Sequence, residues 1–389
     1  MIEPAPPAAG RLRELAWLFL KLGTTAFGGP AAHIAMMENE VVTRRKWMSR
    51  EKFLDLLGAT NLIPGPNSTE LAIHVGHERA GWAGLIVAGV AFIVPAVVIV
   101  TAIAWAYVRF GTLPQAEAVL YGVKPVIIAV VLQALWGLGK TAVKSRLLAA
   151  VAIACVAASL AGLNELAVLL AAGMAVAGWR WGAERLRDRG GGAAGCFMGI
   201  PILGTLGAPA TGAATFGLLP LFLFFLKVGS VLFGSGYVLL AFLRADLVDH
   251  RHWLTESQLL DAVAVGQVTP GPVFTTATFI GYVLHGGTGA LVATLGIFLP
   301  SFVFVALSGP LVPLLRRSRT AGAFLDGVNV ASLALMVTVT WYLGRSAITD
   351  LATVLLAGLS ALLLLKFRLN SAWLVLAGAL VGVGRWWLR

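Results

Sequence analysis

Charged side chains are scarce: Asp, Glu, Lys and Arg make up 12% of 389 residues, while 58% are hydrophobic. Soluble domains carry about 25% charge, so half of the usual charge is missing. Cysteine is nearly absent, with Cys155 in an apolar run and Cys196 in a glycine-rich segment. That pair lacks the spacing of a disulfide scaffold or a metal knuckle, so neither metal nor cofactor is expected. Aliphatic dominance excludes disorder and collagen. Acidic residues number 18 against 29 Lys and Arg, a net charge of +11. The basic residues fall between apolar runs, without an aromatic-interleaved basic patch, so they read as topology signals and no nucleic-acid partner is expected. The opening MIEPAPPAAG is acidic and proline-rich, unlike a basic leader region, and no cleaved signal is expected.

Long apolar runs are present instead, and mean hydropathy is +0.86. A helical span of about 30 Å needs about 20 residues. Runs that meet this lie near 12–30, 81–108, 116–139, 146–162, 164–181, 217–240, 287–309, 322–344, 350–366 and 370–387. Trp17, Trp82, Trp105, Trp136, Trp179, Trp341 and Trp386 stand at their ends, as an interfacial belt requires. Residues 183–216 are rich in Gly, Ala and Pro and read as a linker. The chain therefore divides into an N-terminal repeat (1–182), a linker (183–216) and a second repeat (217–389), with the lipid bilayer as partner.

The two halves are copies. LFLKLGTTAFGG (18–29) aligns with FFLKVGSVLFGS (224–235), Trp47 with Trp253, and Asp55 with Asp261. Pro64-Gly65-Pro66 aligns with Pro270-Gly271-Pro272 and Thr69 with Thr275; after one deletion, Pro95 aligns with Pro300 and Lys124 with Asn329. Five spans per copy force opposite orientations. The basic residues agree: Arg44, Arg45, Lys46, Arg50, Lys52 and Arg79 in one copy face only Arg244 and Arg251 in the other. The next loop reverses the bias, with Arg109 alone against Arg316, Arg317 and Arg319. The richer side is expected to be cytoplasmic, which places the linker inside and both termini outside.

Between the first two spans of each copy lies an interrupted segment, 50–80 and 256–286. Ser49 is a candidate helix cap, and Thr255 with Gln258 a capping box. Each helix then runs only about 20 Å before Pro-Gly-Pro stops it. The expected fold is an all-α polytopic membrane protein of two inverted five-helix repeats, each with a re-entrant Pro-Gly-Pro broken-helix hairpin. Pro64, Pro66, Pro270 and Pro272 make the structural breaks. A kink inside an ordinary span is the alternative. A broken backbone at membrane depth must be buried in protein or line a wet cavity. The following helix offers free N–H groups and a positive dipole end near Asn67, Ser68, Thr69, Thr275 and Thr276, with Gly65 and Gly271 allowing close backbone approach. Two such ends suit an anion.

FLKLGTTAFGGP (19–30), the Trp47-Met48-Ser49 and Trp253-Leu254-Thr255 turns and the doubled Pro-Gly-Pro resemble the chromate ion transporter family in its long two-repeat form. The resemblance implies a chromate efflux transporter in the bacterial inner (plasma) membrane that gives chromate resistance. Sulfate is the look-alike competitor, and coupling to the proton gradient is implied. The signature Phe27-Gly28-Gly29-Pro30 becomes Phe233-Gly234-Ser235-Gly236 in the second copy. Gly28, Gly29 and Gly234 thus join the substrate-binding candidates, with unequal half-sites.

Lys21 and Lys227 occupy equivalent span positions, and Lys124 is a third intramembrane cation; all three are substrate-binding candidates. Such charges cost several kcal/mol unless they meet water or a partner; snorkelling or pairing with a carboxylate is the alternative. Glu70 and His74, one turn apart beside the first break, are proton-coupling candidates, as are Asp55 and Asp261, for which pairing with a basic group is equally open. Export of a dianion at 100 mV, inside negative, gains ~4.6 kcal/mol, so potential alone suffices. A sulfate or molybdate carrier is the same-class rival. A membrane-embedded enzyme is disfavoured: HVGHE (74–78) matches no zinc-protease motif, and ALWGLGKT (134–141) lacks the first glycine of a phosphate loop. A homodimer is left open.

Overall fold

The computed structural model describes residues 8–27, 29–111, 113–188, 216–233, 238–367, 369 and 371–388. Gly28, Gly234 and residues 189–215 of the expected linker lie outside the described residues.

Every regular element among the described residues is helical. In the first half, α1 (Ala8–Thr25) is followed by α2 (Gly29–Glu38), a π-helical turn over Asn39–Arg44, and α3 (Arg50–Thr60). Past the Pro-Gly-Pro break come α4 (Asn67–Phe110), α5 (Pro114–Ala142), α6 (Arg146–Leu160) and α7 (Glu165–Asp188). The second half repeats this as α8 (Leu218–Val231), α9 (Leu239–Leu243), a π-helical turn over Arg244–His250, and α10 (Glu256–Val268). After its break follow α11 (Thr276–Arg317), α12 (Arg319–Ala347), α13 (Leu351–Phe367) and α14 (Ser371–Trp387).

The copies share unusual backbone as well as sequence. Lys46 and His252, aligned by the duplication, are the two described non-glycine residues with positive φ, at 51° and 53°. Helices α4 and α11 are each interrupted at aligned pairs, Ala80-Gly81 and His285-Gly286, where Gly81 and Gly286 take φ of 62° and 60°. Crossings recur too: Gly23 on α1 abuts the carbonyl of Phe92 as Gly229 on α8 abuts that of Ile297. The halves also interlock, since Gly122 on α5 packs against the backbone of Gly378 on α14, and Gly327 on α12 against that of Ala172 on α7.

Two of the expected spans are broken. The run 12–30 does not form one helix, because α1 stops at Thr25 and α2 starts afresh at Gly29 (φ 77°). Pro30 explains the restart, being tolerated only in the first turn of a helix. The run 217–240 likewise ends at Val231. Among the described residues, five helical stretches are long and apolar enough to cross a membrane, in α4, α5, α7, α11 and α12, while α6, α8 and α13 are shorter apolar helices. All seven of the expected interfacial Trp residues are exposed, as are Leu351, Leu355, Leu359 and Leu362 along α13. An apolar surface of this extent needs lipid as its solvent, and the chain reads as a multi-pass membrane protein.

Candidate functional site at the two breaks

The helix before each break begins as its sequence suggests. Ser49 accepts from the Lys52 N–H at 3.2 Å, and Thr255 and Gln258 form the reciprocal capping box. The chain then turns at Gly65 (φ 137°) and Gly271 (φ 89°), a region that L side chains rarely enter. Each glycine N–H reaches into the other half. Gly65 N donates to the Leu232 carbonyl at 2.7 Å, and Gly271 N to the Ala26 carbonyl at 3.1 Å. Leu232 and Ala26 are aligned residues just past α8 and α1, so the two contacts are the same contact made reciprocally.

The breaks carry different side chains. On the first, Ser68, Thr69 and Glu70 open α4 and are buried, with Glu70 fully so. Among the described residues, Thr69 Oγ1 and both Glu70 carboxylate oxygens have no hydrogen-bond partner, nor has Ser301 Oγ, contributed by α11 of the other half. Glu70 and Ser301 face the same side of Gly65, since a Cβ there would meet both. His74, one turn further along α4, is buried, and its Nε2 has no partner among the described residues. His33 on α2 adds a bridge: one ring nitrogen lies 3.1 Å from the Ala26 carbonyl and the other 3.4 Å from Ser68 Oγ. Asn67 donates to Asn61 at 2.7 Å, tying the two arms across the break.

At the second break the aligned positions are Leu239, Phe274, Thr276 and Ile280, and Ala96 stands where Ser301 stands for the first. Thr275 and Thr276 hydroxyls donate to the carbonyls of Pro272 and Val273, both at 2.8 Å. A short 3-10 turn over Val273–Thr275 precedes α11. Polar capacity is thus concentrated at the first break, while the second is closed on itself. His33 and Ser301 escaped the sequence reading. The contrast of His33 with Leu239 and of Ser301 with Ala96 within the duplication was the signal available.

The cations are each held by a carboxylate. Lys21 lies 3.1 Å from Glu40, which Arg44 and Arg45 also approach, at 3.1 and 3.3 Å. Lys227 makes the aligned pair with Asp246 at 2.9 Å. Both lysines are half-exposed, so a pair here is worth about 0–1 kcal/mol and a stronger anion can compete for the ammonium. Lys124 meets Asp261 at 3.1 Å and Ser257 at 2.7 Å, while Tyr107 donates to Asp261 at 2.9 Å. Asp55 is exposed on α3. A cavity of about 700 Å³ beside Tyr107 is lined by apolar groups such as Phe27, Phe110, Val265, Val268 and Trp373. A dianion there would lose hydration without compensation, so the cavity is no oxyanion site. The stretches 74–78 and 134–141 lie within α4 and α5, so the second lacks the strand and loop of a nucleotide site.

Residues 13–179 and 219–383 match the family model described as chromate transporter. The chain is 36% identical to the chromate transport protein of Cupriavidus metallidurans, with 98% of each chain covered. It is 32% identical to the probable chromate transport protein of Synechococcus elongatus, with 96% of each covered. Identity to the Pseudomonas aeruginosa chromate transport protein is also 32%, over 98% of this chain and 94% of that one. No solved structure matches.

Proposed function

The chain belongs to the chromate transporter family, and from that premise we propose that it exports chromate across the bacterial inner membrane through a site shared by the two Pro-Gly-Pro breaks. The observation that carries this reading is the reciprocal contact of Gly65 with Leu232 and of Gly271 with Ala26. Reciprocal use of the same residues is what a two-fold relation between copies produces. With an odd number of spans per copy, the axis lies in the membrane plane, the repeats are inverted, and the breaks enter as re-entrant hairpins from opposite faces. Backbone N–H groups at the start of α4 and the hydroxyls of Ser68, Thr69 and Ser301 supply donors to the oxyanion. Gly29 and Gly65 keep side chains out of its way, Gly271 lets the second break pack against α1 and α4, and Thr275 and Thr276 shape the second wall. Lys21 and Lys227 attract the dianion at the two entrances.

Glu70 sets the coupling. A carboxylate beside the first break would repel a dianion through a low-dielectric medium. Proton and chromate therefore travel together, and His74, one turn along, relays the proton. One net negative charge leaves per turnover, which at 100 mV gains ~2.3 kcal/mol. Resistance to chromate follows from export. Everted vesicles carrying the protein test the reading: chromate should be taken up, with sulfate as competitor. Uptake of sulfate or molybdate in preference, or none above protein-free vesicles, contradicts it.

A further inference from the structure

The first break is rich in hydrogen-bond acceptors, which is not what a bare dianion needs. Asn67, Glu70 and His74 fall at i, i+3 and i+7 of α4 and so share one face. Glu70 is fully buried, and a carboxylate can only accept. Neither of its oxygens has a partner among the described residues, nor have Asn67 Oδ1 and His74 Nε2. The Asn67 amide nitrogen donates to Asn61, which fixes Oδ1 as a free acceptor. Ser301 Oγ, on α11, stands with Glu70 on the same side of Gly65. At the second break the aligned positions hold Val273, Thr276 and Ile280, and the Thr276 hydroxyl is satisfied by the Val273 carbonyl at 2.8 Å. The acceptors thus belong to the first half-site. A buried carboxylate left unpaired is costly. The partner it lacks is a donor, and a ligand that brings a proton supplies one.

We propose that Glu70 is the specificity-determining residue of the site: it selects tetrahedral oxyanions that bind a proton readily, and accepts that proton in a hydrogen bond from the bound anion. The inference rests on the transport reading above and deepens it. Hydrogen chromate is a weak acid, so an appreciable part of the anion carries its proton near neutrality. Hydrogen sulfate and hydrogen selenate are strong acids, and their anions arrive bare. A bare dianion meets the Glu70 carboxylate as like charges at low dielectric, unless a proton is drawn from water and placed between them. Even then its weakly basic oxygens make the poorer hydrogen bond. A site that hydrogen-bonds a substrate O–H discriminates against an analogue lacking it, because the site's own acceptor is left unpaired. Sulfate remains a competitor, and a weak one. The charge is the same wherever the shared proton sits, on chromate or on Glu70, and this is the proton that travels with chromate. His74, on the same face of α4, is placed to pass it on. The Thr69 and Ser301 hydroxyls donate to the remaining oxygens of any tetrahedral oxyanion alike.

Displacement of radiolabelled chromate from the detergent-purified full chain, at one pH near neutrality, reads the selection without transport. Selenate is the most discriminating probe, because it matches chromate in shape and charge and differs in basicity. Half-displacement from the parent should need at least about tenfold more selenate or sulfate than unlabelled chromate. Molybdate, the anion of a weak acid, should fall between. Glu70→Gln, which offers a donor and no charge, should bring the four anions to near parity. Ser301→Ala should weaken all four alike and keep their order. The order in the parent needs no variant, so it decides even if Glu70→Gln fails to fold. Parity of chromate and selenate in the parent, an unchanged preference in Glu70→Gln, or a lost preference in Ser301→Ala refutes the selection. A parent that transports chromate without preferring it to selenate refutes the selection and leaves the transport reading standing. A parent that prefers chromate yet moves none across vesicles refutes the transport reading and leaves the selection.

Discussion

A methyl group added at the two aligned glycines should have unequal effects. Gly65 and Gly271 both have positive φ, so Ala at either carries backbone strain of about 1–3 kcal/mol. The surroundings then separate them. At Gly271 the new Cβ would lie 2.8 Å from the Ala96 methyl and 3.2 Å from the Gly23 carbonyl, both on helices of the other half. Helix backbone cannot yield locally, and overpacking of this kind adds about 1–3 kcal/mol. Gly271→Ala is therefore expected to cost about 2–6 kcal/mol and to loosen the contact between halves. At Gly65 the obstacles are the ends of the Glu70 and Ser301 side chains, which can turn aside. Gly65→Ala should remain near the strain term alone while displacing Glu70, the group assigned to coupling. Thermal unfolding in detergent and chromate uptake into vesicles, measured on both variants, give the comparison. Gly271→Ala should melt markedly earlier, and Gly65→Ala should keep most stability but lose transport. Equal melting of the two variants, or full transport by Gly65→Ala, refutes the reasoning.

Glu70→Gln should raise the charge moved per chromate from one to two, read as a steeper dependence of the uptake limit on imposed potential; an unchanged dependence removes Glu70 from the coupling. Lys227→Gln should destabilise more than Lys21→Gln in thermal unfolding, because among the described residues Asp246 keeps Arg251 at 3.9 Å alone whereas Glu40 keeps Arg44 and Arg45. Both variants should raise the KM for chromate. Thr69→Ala should cost no more than about 1 kcal/mol of stability, the burial of one methyl group, since its hydroxyl has no partner among the described residues, yet weaken transport. An impermeant maleimide should reach a cysteine in 183–216 only in permeabilised cells; labelling in intact cells overturns the orientation.

Local chemistry was legible in the sequence. The caps at Ser49 and Thr255 and the stops at Pro-Gly-Pro follow from rules that act within a few residues. The first span was misjudged because hydropathy registers Gly28-Gly29-Pro30 as apolar and ignores what it does to the backbone. Partners across the halves were beyond reach. Nothing near position 124 in the chain points to Asp261, and Ser301 looks like any serine in an apolar helix until Gly65 is set against it. Such contacts depend on how the copies dock, and the duplication indicates only that they dock symmetrically. The differences between copies were readable, however, and they fall at the site: His33, Ser68, Glu70 and His74 against Leu239, Phe274, Thr276 and Ile280.

Chromate accumulation in proteoliposomes of the purified protein, driven by an imposed potential, tests the account most directly. Parent protein should concentrate chromate toward the positive side, and the Gly65→Val, Gly271→Val double variant, reconstituted in equal amount, should not. Accumulation by the double variant equal to that of the parent would place the oxyanion away from the two breaks and contradict the account.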